Sequence, residues 1–479
     1  MWLYNKTKQL PQRPPLWALI LFMALGYGLM ALWFPLYPNF NHVPQADIRT
    51  FTPSLAAGGA YALLLLVLFG LYGLASRYAK ELSLTKLLLI TLLFSLPLLF
   101  TYPINATDVY RYFLRGRVSS VYGESPYAVP PNQFSDDPYL SFGGEWAGET
   151  TPYGPLWEMV ASGITAVTPN NLYLSLLLFK GLGLLLHLAA TFLIWEVAGY
   201  RSQVTGESSI ENRQSSIALL WAWNPALLLT FVVDAHNDIL MLCLLLLGYW
   251  IMRRGRPSAG FLLMALAALA KPIGLLPLPY FWLTGWREMK GRARWEYTAV
   301  TIFGSIVLAW LAFLPFGSPV ELAQRLLYES SDVGGFSTPV LVILGLRELG
   351  QNPSIPLVIN VGRGVFVLAA LWLVWRMVWG KNTPHRSAAA IFLAYIYTAY
   401  SFRIWYTAWA FPWLLLDQSR ARQRMGIFLL LTAQLSVLIY GHLRVYALGG
   451  SQTLAHLIAV PFTFGLPLLL PLISAQENK

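Results

Sequence analysis

The chain has 479 residues, of which 56% are hydrophobic and only 11% are charged, and its formal net charge is +11. A soluble domain usually has about 25% charged residues, so this composition excludes a soluble globular protein. The single cysteine, Cys243, lies in an apolar run and excludes a disulfide framework or a thiolate metal site. We interpret the positive charge as membrane orientation and lipid affinity, with no nucleic-acid partner, because the position of charges matters more than their sum in a membrane protein.

Apolar runs long enough to cross about 30 Å of hydrocarbon recur along the whole chain. Lys6, Lys8 and Arg13 precede the first run, so the positive-inside rule places the N-terminus in the cytoplasm and the loop after the third run outside. About 14 crossings are predicted. They lie at 16–36, 56–75, 85–101, 172–198, 216–233, 239–252, two short helices within 259–286, 297–316, 356–379, 387–402, 405–416, 425–446 and 453–472.

One long polar loop interrupts this pattern at residues 102–157. Its glycines and prolines predict short interfacial helices joined by turns, and the segment 156–167 is predicted to be an amphipathic helix along the membrane surface. The predicted fold is therefore all-α, a polytopic transmembrane helical bundle that forms a single domain over 1–479. Within it we distinguish the outer loop, a core at 158–346 with the substrate-site motifs, and C-terminal transmembrane helices at 347–479.

Four polar clusters fall on the predicted outer face. They are Asp108 with the arginines after it, Tyr153-Gly154-Pro155, the segment 234–238, and the segment 401–406. Lys271 interrupts an apolar stretch, where a lysine must face protein or a water-filled cavity. No GxxxxGK[ST] motif occurs, nor a GxGxxG motif between a strand and a helix. A donor carried on a lipid phosphate therefore fits better than a nucleotide-activated donor.

Transfer from a glycosyl phosphate requires a base for the acceptor hydroxyl and cations for the departing phosphate. A glycosidase, by contrast, ordinarily needs a pair of carboxyl groups. Asp108 is the predicted catalytic base, and the predicted phosphate-side residues are Arg111, His236, Lys271 and Arg403. Structural alternatives stay open, since Asp108 fits a helix N-cap and Lys271 fits a lysine that snorkels to the membrane surface.

Several motifs resemble, in order, the polytopic GT-C glycosyltransferases, and within them the bacterial polyprenyl-phosphate-mannose-dependent mannosyltransferases. The motifs are Asp108-Val109-Tyr110-Arg111-Tyr112, Gly116-Arg117, Pro126-Tyr127, Tyr153-Gly154-Pro155-Leu156, Ala235-His236-Asn237-Asp238 and Ala270-Lys271-Pro272. The resemblance covers residues 85–285, while the C-terminal part is similar only in hydropathy and in Trp405-Tyr406. It implies an active site at the outer leaflet, inverting transfer from a lipid-phosphate sugar, and a base at the position of Asp108.

The predicted substrate-binding residues follow from these motifs and clusters. They are Arg111, Tyr112, Arg117, Tyr127, Tyr153, Asp234, His236, Asn237, Asp238, Lys271, Arg403, Trp405 and Tyr406. Some relatives carry two adjacent acidic residues at the base position, but Thr107 precedes Asp108 here. No cofactor and no metal ligand is therefore predicted. A divalent ion held by Asp108 with Asp234 or Asp238 is the less favoured alternative.

The predicted function is transfer of a sugar, with mannose expected, from a polyprenyl phosphate to a glycan or glycolipid hydroxyl. The expected location is the outer face of the cytoplasmic (inner) membrane of a bacterium, with membrane lipids as further partners. Two alternatives stay open: a GT-C enzyme that uses another lipid-linked sugar such as a pentose, or a protein acceptor, and a transporter or lipid flippase that couples ions through Asp108, Asp238 and Lys271. We find no convincing sequence repeat of the kind that transporters usually contain.

Overall fold

The computed structural model describes residues 14–205, 210–328, 335–417 and 419–469. These residues form helices joined by short irregular segments, and their one strand-like feature is an isolated bridge between Pro35 and Thr101. The predicted all-α class is confirmed. The α-helices are α1 (Leu16–Trp33), α2 (Ile48–Phe51), α3 (Leu55–Ala75), α4 (Leu84–Leu99), α5 (Asp108–Ser120), α6 (Pro155–Val167), α7 (Leu172–Thr205), α8 (Ile210–Ala222), α9 (Pro225–Leu228), α10 (Asp238–Arg253), α11 (Pro257–Ala270), α12 (Leu278–Glu288), α13 (Gly291–Phe313), α14 (Pro319–Tyr328), α15 (Thr338–Glu348), α16 (Ile355–Val378), α17 (Pro384–Thr398), α18 (Thr407–Leu415), α19 (Arg420–Leu438), α20 (Arg444–Tyr446) and α21 (Gln452–Val460).

Tighter and wider helical turns continue several of these helices. Three segments of the described residues are π-helical, Leu229–Val233, Ile439–Leu443 and Pro461–Gly465. The 3₁₀ segments are Ser76–Glu81, Pro131–Gln133, Leu140–Trp146, Pro272–Leu275, Leu314–Phe316 and Ile404–Tyr406.

Seven helices in the described residues are long and apolar enough to cross a membrane, or up to eight if a bent pair that includes α8 and α9 is one span. This makes the chain an integral membrane protein. The sequence predicts about 14 crossings, and several of these correspond to shorter helices. At about 1.5 Å per residue, the 14 residues of α11 fall well short of a 30 Å hydrocarbon layer. Residues 470–472 of the last predicted span, and Lys6, Lys8 and Arg13, lie outside the described residues.

The centre of the bundle is built around α7, which packs against α4, α8 and α10, while α10 packs against α11. Two glycines allow the last contact. A Cβ atom added to Gly248 would lie 2.5 Å from the Gly260 carbonyl oxygen, and one added to Gly260 would lie 2.5 Å from the Gly248 oxygen. Small residues let two membrane helices approach this closely. As a result α10 and α11, each of which carries predicted site residues at one end, form a tight pair.

The predicted outer loop folds as short helices and turns, as its glycines and prolines indicate. Its helices α5 and α6 pack together because Gly116 sits against the Ala161 carbonyl, where an added Cβ would lie 2.6 Å from the oxygen. The segment predicted as an amphipathic helix is α6, which buries Trp157, Ala161 and Thr165. The loop thereby fixes Asp108 at the start of α5 and Tyr153 just before α6.

The predicted break at Ala270-Lys271-Pro272 is present. Helix α11 ends at Ala270, and Pro272 begins a 3₁₀ segment before α12. Proline lacks the backbone N–H that an α-helix interior requires, so the chain cannot continue α11 past Lys271. The lysine is therefore placed at a helix end in the interior of the bundle. Helices α14 and α15 fall in a region where the sequence predicts no span.

Candidate active site

Residues from three separate helix ends meet at one place in the structure. Asp108 begins α5, Asp238 begins α10, and Lys271 follows α11. Arg111 donates from Nη1 to Asp108 Oδ1 at 2.9 Å, and Lys271 Nζ lies 2.8 Å from Asp238 Oδ1. His236 stands between the two ion pairs, because its Nε2 is 4.0 Å from Asp108 Oδ2 and its Nδ1 is 3.7 Å from Asp238 Oδ2. The result is a continuous, largely buried cluster in which an imidazole joins two ion pairs.

Asp108 occupies the first helical position of α5, and Thr107 is the N-cap residue, without a side-chain capping bond. The carboxylate instead faces Arg111 and the Tyr153 hydroxyl, which donates to Oδ1 at 3.4 Å. Burial raises the pKa of Asp108, but the positive charges of Arg111, Lys271 and Arg403 outweigh it, and the pKa lies below its ordinary value. The carboxylate is therefore ionised at neutral pH and can accept a proton.

His236 is held between an aromatic ring and the two carboxylates. Its imidazole stacks on Trp405, with ring centroids 4.0 Å apart and an interplanar angle of 28°. Burial lowers the pKa of His236 to about 4, and Asp108 and Asp238 only partly oppose this effect. The ring is therefore neutral at pH 7, with one nitrogen able to donate and the other able to accept.

Three buried polar atoms of this cluster have no hydrogen-bond partner among the described residues: His236 Nε2, Asn237 Nδ2 and Asp238 Oδ2. Buried polar groups are nearly always paired in proteins, and unpaired ones call for an explanation such as a ligand or water. Three on consecutive residues, beside Asp108 and Lys271, form a polar surface that can bind a phosphate or a sugar hydroxyl.

The backbone of the 234–238 segment is unusual. It follows the π-helical turn Leu229–Val233, and Ala235 has φ of +55°, a left-handed conformation that alanine rarely adopts. Strained backbone of this kind persists where surrounding contacts hold it, and it is frequent at functional sites. The sequence motif predicts polar residues here but carries no sign of the strain.

Gly154 docks the end of the outer loop onto α11. Its N–H donates to the Ala270 carbonyl at 3.2 Å, and an added Cβ would lie 2.1 Å from the Leu269 oxygen. This close approach places the Tyr153 ring beside Lys271, whose Nζ is 5.9 Å from the ring centroid. The contact between Gly154 and α11 thus holds Tyr153 and Lys271 next to each other, beside Asp108.

Other predicted site residues lie one layer further out. Tyr112 packs edge-on against Tyr153, and its hydroxyl accepts from the Asn237 N–H at 3.5 Å. Tyr127 donates to the Tyr153 carbonyl at 2.9 Å. Tyr406 stacks on Trp409.

Two predicted cations have different surroundings. Arg403 is half-buried, and its positive charge helps to lower the pKa of Asp108. Arg117, by contrast, is not part of the cluster. Its guanidinium forms a buried ion pair with Asp137 at 2.9 Å and lies over the Tyr139 ring. Arg117 therefore holds the outer loop together in this structure.

The structure also shows residues that the sequence reasoning missed. Trp409 donates from its indole N–H to Asp238 Oδ1, and Trp146 lies 4.5 Å from the Arg111 guanidinium. Glu158 is buried in α6, where desolvation raises its pKa to about 7 although Thr151 and Arg115 act in the opposite direction. Trp409 follows Trp405 by four residues, a helical spacing that could have been read as one face; the other two had no local signal.

The described residues contain no group of three histidine, cysteine, aspartate or glutamate side chains that could hold a metal ion. Asp108 and Asp238 are instead each paired with a basic side chain.

Residues 17–287, more than half of the chain, match a sequence family described as Alpha-(1->6)-mannopyranosyltransferase, N-terminal domain. The chain belongs to this family. The matched region contains the cluster from Asp108 to Lys271, and it ends before Arg403 and Trp405. Membership of this mannopyranosyltransferase family confirms the resemblance to polyprenyl-phosphate-mannose-dependent GT-C enzymes and the expectation of a hexosyltransferase. A sugar donor and a glycan acceptor follow as partners in general terms.

Individual relatives agree with the family. The chain is 25% identical over 412 residues to a protein of Mycolicibacterium smegmatis named "Probable alpha-(1->6)-mannopyranosyltransferase", covering 76% of this chain and 70% of that protein. It is 29% identical over 198 residues to Alpha-(1->6)-mannopyranosyltransferase A of Mycobacterium tuberculosis, covering 40% of this chain and 35% of the relative. Alpha-(1->6)-mannopyranosyltransferase B of Corynebacterium glutamicum is 24% identical over 364 residues, which is 69% of this chain and 58% of that protein. The chain thus spans less than two thirds of the length of two of these three relatives.

Proposed function

We propose that this protein transfers mannose from a polyprenyl phosphate to a glycan or glycolipid hydroxyl and forms an α-(1→6) linkage, at the outer face of the cytoplasmic membrane. The relatives' names support the sugar and the linkage. The observation that carries the mechanism is the buried carboxylate of Asp108, ionised and surrounded by cations, beside three unpaired polar atoms. A base next to a phosphate-binding surface is what this transfer requires.

In the proposed reaction, the acceptor oxygen attacks the anomeric carbon as Asp108 Oδ2 takes the hydroxyl proton. The bond from that carbon to the phosphate oxygen breaks, and the polyprenyl phosphate leaves with the bonding electrons. The displacement inverts the anomeric carbon, so an α product requires a β-linked donor. Arg111, Lys271 and Arg403 would stabilise the phosphate, since their positive charges already act on Asp108.

The remaining residues of the cluster have binding roles in this proposal. Neutral His236 can donate or accept one hydrogen bond at its unpaired Nε2, which suits a sugar hydroxyl or a phosphate oxygen. Tyr153 and Trp405 supply aromatic faces for the sugar, and both are fixed by contacts to residues of the cluster. Asp238 is neutralised by Lys271 and oriented by Trp409.

We further propose that transfer needs no divalent ion. A metal-dependent glycosyltransferase uses the ion to neutralise the leaving phosphate, and here that charge can be met by the guanidinium of Arg111 and the ammonium of Lys271. A metal held by the Oδ2 atoms of Asp108 and Asp238 would lie close to both of these cations, which contact the Oδ1 atoms at 2.9 and 2.8 Å and would repel it.

The test is sugar transfer in proteoliposomes with polyprenyl-phosphate mannose and a panel of glycan, glycolipid and protein acceptors, in the presence and absence of EDTA. Asp108→Asn should reduce turnover by a factor of about 10² or more, as expected when a general base is lost, while donor binding remains. Asp136→Asn, at an exposed carboxylate of the same loop, is the matched control and should transfer at the wild-type rate.

The other outcomes are equally informative. Turnover retained by Asp108→Asn would remove this residue from the base role, and inhibition by EDTA would contradict the metal-free mechanism. Transfer from a polyprenyl-phosphate pentose, but not from the mannose donor, would replace the proposed sugar. Folded wild-type protein that binds no lipid-phosphate sugar would favour the transporter alternative.

A further inference from the structure

Lys180 is a buried lysine outside the cluster described above. It lies in the first third of α7, and its side chain is fully buried. Its ammonium donates to the Thr101 carbonyl at 2.9 Å and to the Val233 carbonyl at 2.5 Å. Thr101 follows α4 and leads into the loop of Asp108, whereas Val233 ends the π-helical turn that leads to His236. One ammonium group therefore joins the starts of the two segments that carry the site.

A second contact joins the same two segments. The Asn105 N–H donates to Asp234 Oδ1 at 3.3 Å, and the Asn105 side chain donates to Gln434 Oε1 on α19 at 3.0 Å. Asn105 precedes Asp108 by three residues and Asp234 precedes His236 by two. Asp234 also interacts electrostatically with Lys180. The two loops are thus linked by a buried network, with Lys180 bonded directly to the backbone of both.

Burying a lysine without a close carboxylate is unfavourable, and in the described residues no carboxylate lies within 4.0 Å of Lys180 Nζ. Its geometry explains why the position nevertheless suits a lysine, since an ammonium can donate to several carbonyls at once. The segment after Val233 contains the strained Ala235, and strained backbone persists only when its surroundings hold it. Lys180 supplies such a contact at Val233, two residues before Ala235.

We propose that Lys180 is a positioning residue for transfer: by bridging the Thr101 and Val233 carbonyls it sets the spacing between Asp108 and His236. Lys180 is separate from the reacting groups, so its effect passes through the backbone of the two loops. The kinetic part of this inference rests on the proposed function. A misplacement of about 1 Å in an active site can reduce turnover by about 10²-fold, and the distance between Asp108 and His236 is only 4.0 Å.

The test compares Lys180→Met and Lys180→Gln with His187→Leu. His187 lies seven residues along α7, is equally buried, and bonds the Ala222 carbonyl, which belongs to neither loop. For Lys180→Met we expect kcat to fall about 10-fold or more while KM for polyprenyl-phosphate mannose changes little. Lys180→Gln keeps an N–H donor, so its kcat should fall less than that of Lys180→Met. His187→Leu should lose thermal stability but keep the wild-type kcat.

Hydrogen–deuterium exchange of residues 101–108 and 233–238 gives a second readout that needs no donor. Exchange in both segments should increase in Lys180→Met and remain at the wild-type level in His187→Leu. If the wild type transfers no mannose, the proposed function fails while this readout still decides the role of Lys180. If Lys180→Met does not fold, Lys180→Gln is judged by the same criteria. Wild-type kcat, or an exchange increase spread evenly over the bundle, would overturn the positioning role.

Discussion

The ion pair of Lys271 and Asp238 contributes both to the stability of the fold and to the proposed site. Asp238 is fully buried and Lys271 is 14% exposed. Trp409 also donates to Asp238 Oδ1, and Lys271 also donates to Asn237 Oδ1. Removing one partner of a buried pair leaves an uncompensated charge, whereas removing both does not. Stability and activity should therefore respond differently to single and double substitutions.

We expect Lys271→Met to reduce the free energy of unfolding by about 3–5 kcal/mol, because the Asp238 carboxylate loses its counter-charge. Lys271→Met combined with Asp238→Asn should recover much of this stability and still fail to transfer sugar, because the phosphate-side cation is absent. Thermal unfolding in detergent and the proteoliposome assay measure the two effects. A double variant as active as the wild type would show that Lys271 serves stability alone.

The residues of the cluster differ in how far the sequence could predict them. Asp108, His236, Asp238 and Lys271 stand out because an ionisable group in an apolar chain is energetically costly and needs a partner. Lys180 also stands out, but its acceptors are backbone carbonyls at 101 and 233, which no residue type reveals. Trp409 was missed because tryptophan is common in membrane proteins for reasons unrelated to substrate.

Arg117 shows what the spacing of residues in the sequence cannot predict. Three arginines follow Asp108 at near-helical spacing, and the sequence cannot tell which of them faces the site, because this depends on how α5 is rotated against α6. Arg111 faces Asp108, whereas Arg117 pairs with Asp137, a residue of the same loop. Local spacing therefore predicts a basic helix beside the carboxylate, and tertiary packing assigns each arginine its partner.

Among the helices and their joints, Gly154 is the contact on which the junction between the outer loop and α11 depends. Its φ of −76° is available to every residue, so the requirement for glycine is purely steric. A methyl group at Gly154 would overlap the Leu269 carbonyl at 2.1 Å. The junction would have to separate, and this would move Tyr153 away from Asp108 and Lys271.

Gly154→Ala should therefore lower kcat by about 10-fold or more, because small displacements in an active site have large effects, and should also reduce thermal stability. Gly163→Ala is the matched control, since Gly163 lies in α6 with no atom within 4 Å of an added Cβ. Alanine is favoured over glycine in a helix interior by about 0.5–1 kcal/mol, so this variant should be slightly more stable and fully active. Equal activity of both variants would argue against the proposed junction.

At the scale of the whole molecule, the apolar helices form an exterior suited to lipid. Helix α16 is an example, because of its 24 residues only Leu373 and Met377 are buried within the protein. Hydropathy alone gives this architecture, since a chain with so little charge must place apolar side chains outwards. The number of full crossings is harder to predict from apolar runs. Helix interruptions, such as the one at Asn224 before Pro225, divide these runs into short helices.

The side of the membrane on which the cluster lies is a further prediction from the distribution of lysine and arginine. The chain offers a direct test because Cys243 is its single cysteine, so Cys243→Ala gives a cysteine-free background. Asp136→Cys, in the predicted outer loop, should react with a membrane-impermeant maleimide in intact spheroplasts. Arg292→Cys, at a side chain that is 92% exposed beside the predicted cytoplasmic end of α13, should react only after permeabilisation.

Both cysteines should react in detergent, and this controls for burial of the new thiol. The reverse labelling pattern would place Asp108 on the cytoplasmic side, where nucleotide-activated sugars are available, and would weaken the argument for a lipid-phosphate donor. The expected pattern would leave the Asp108 loop on the outer side. A nucleotide-activated donor would then have to cross the membrane, whereas a lipid-linked donor can reach the site within it.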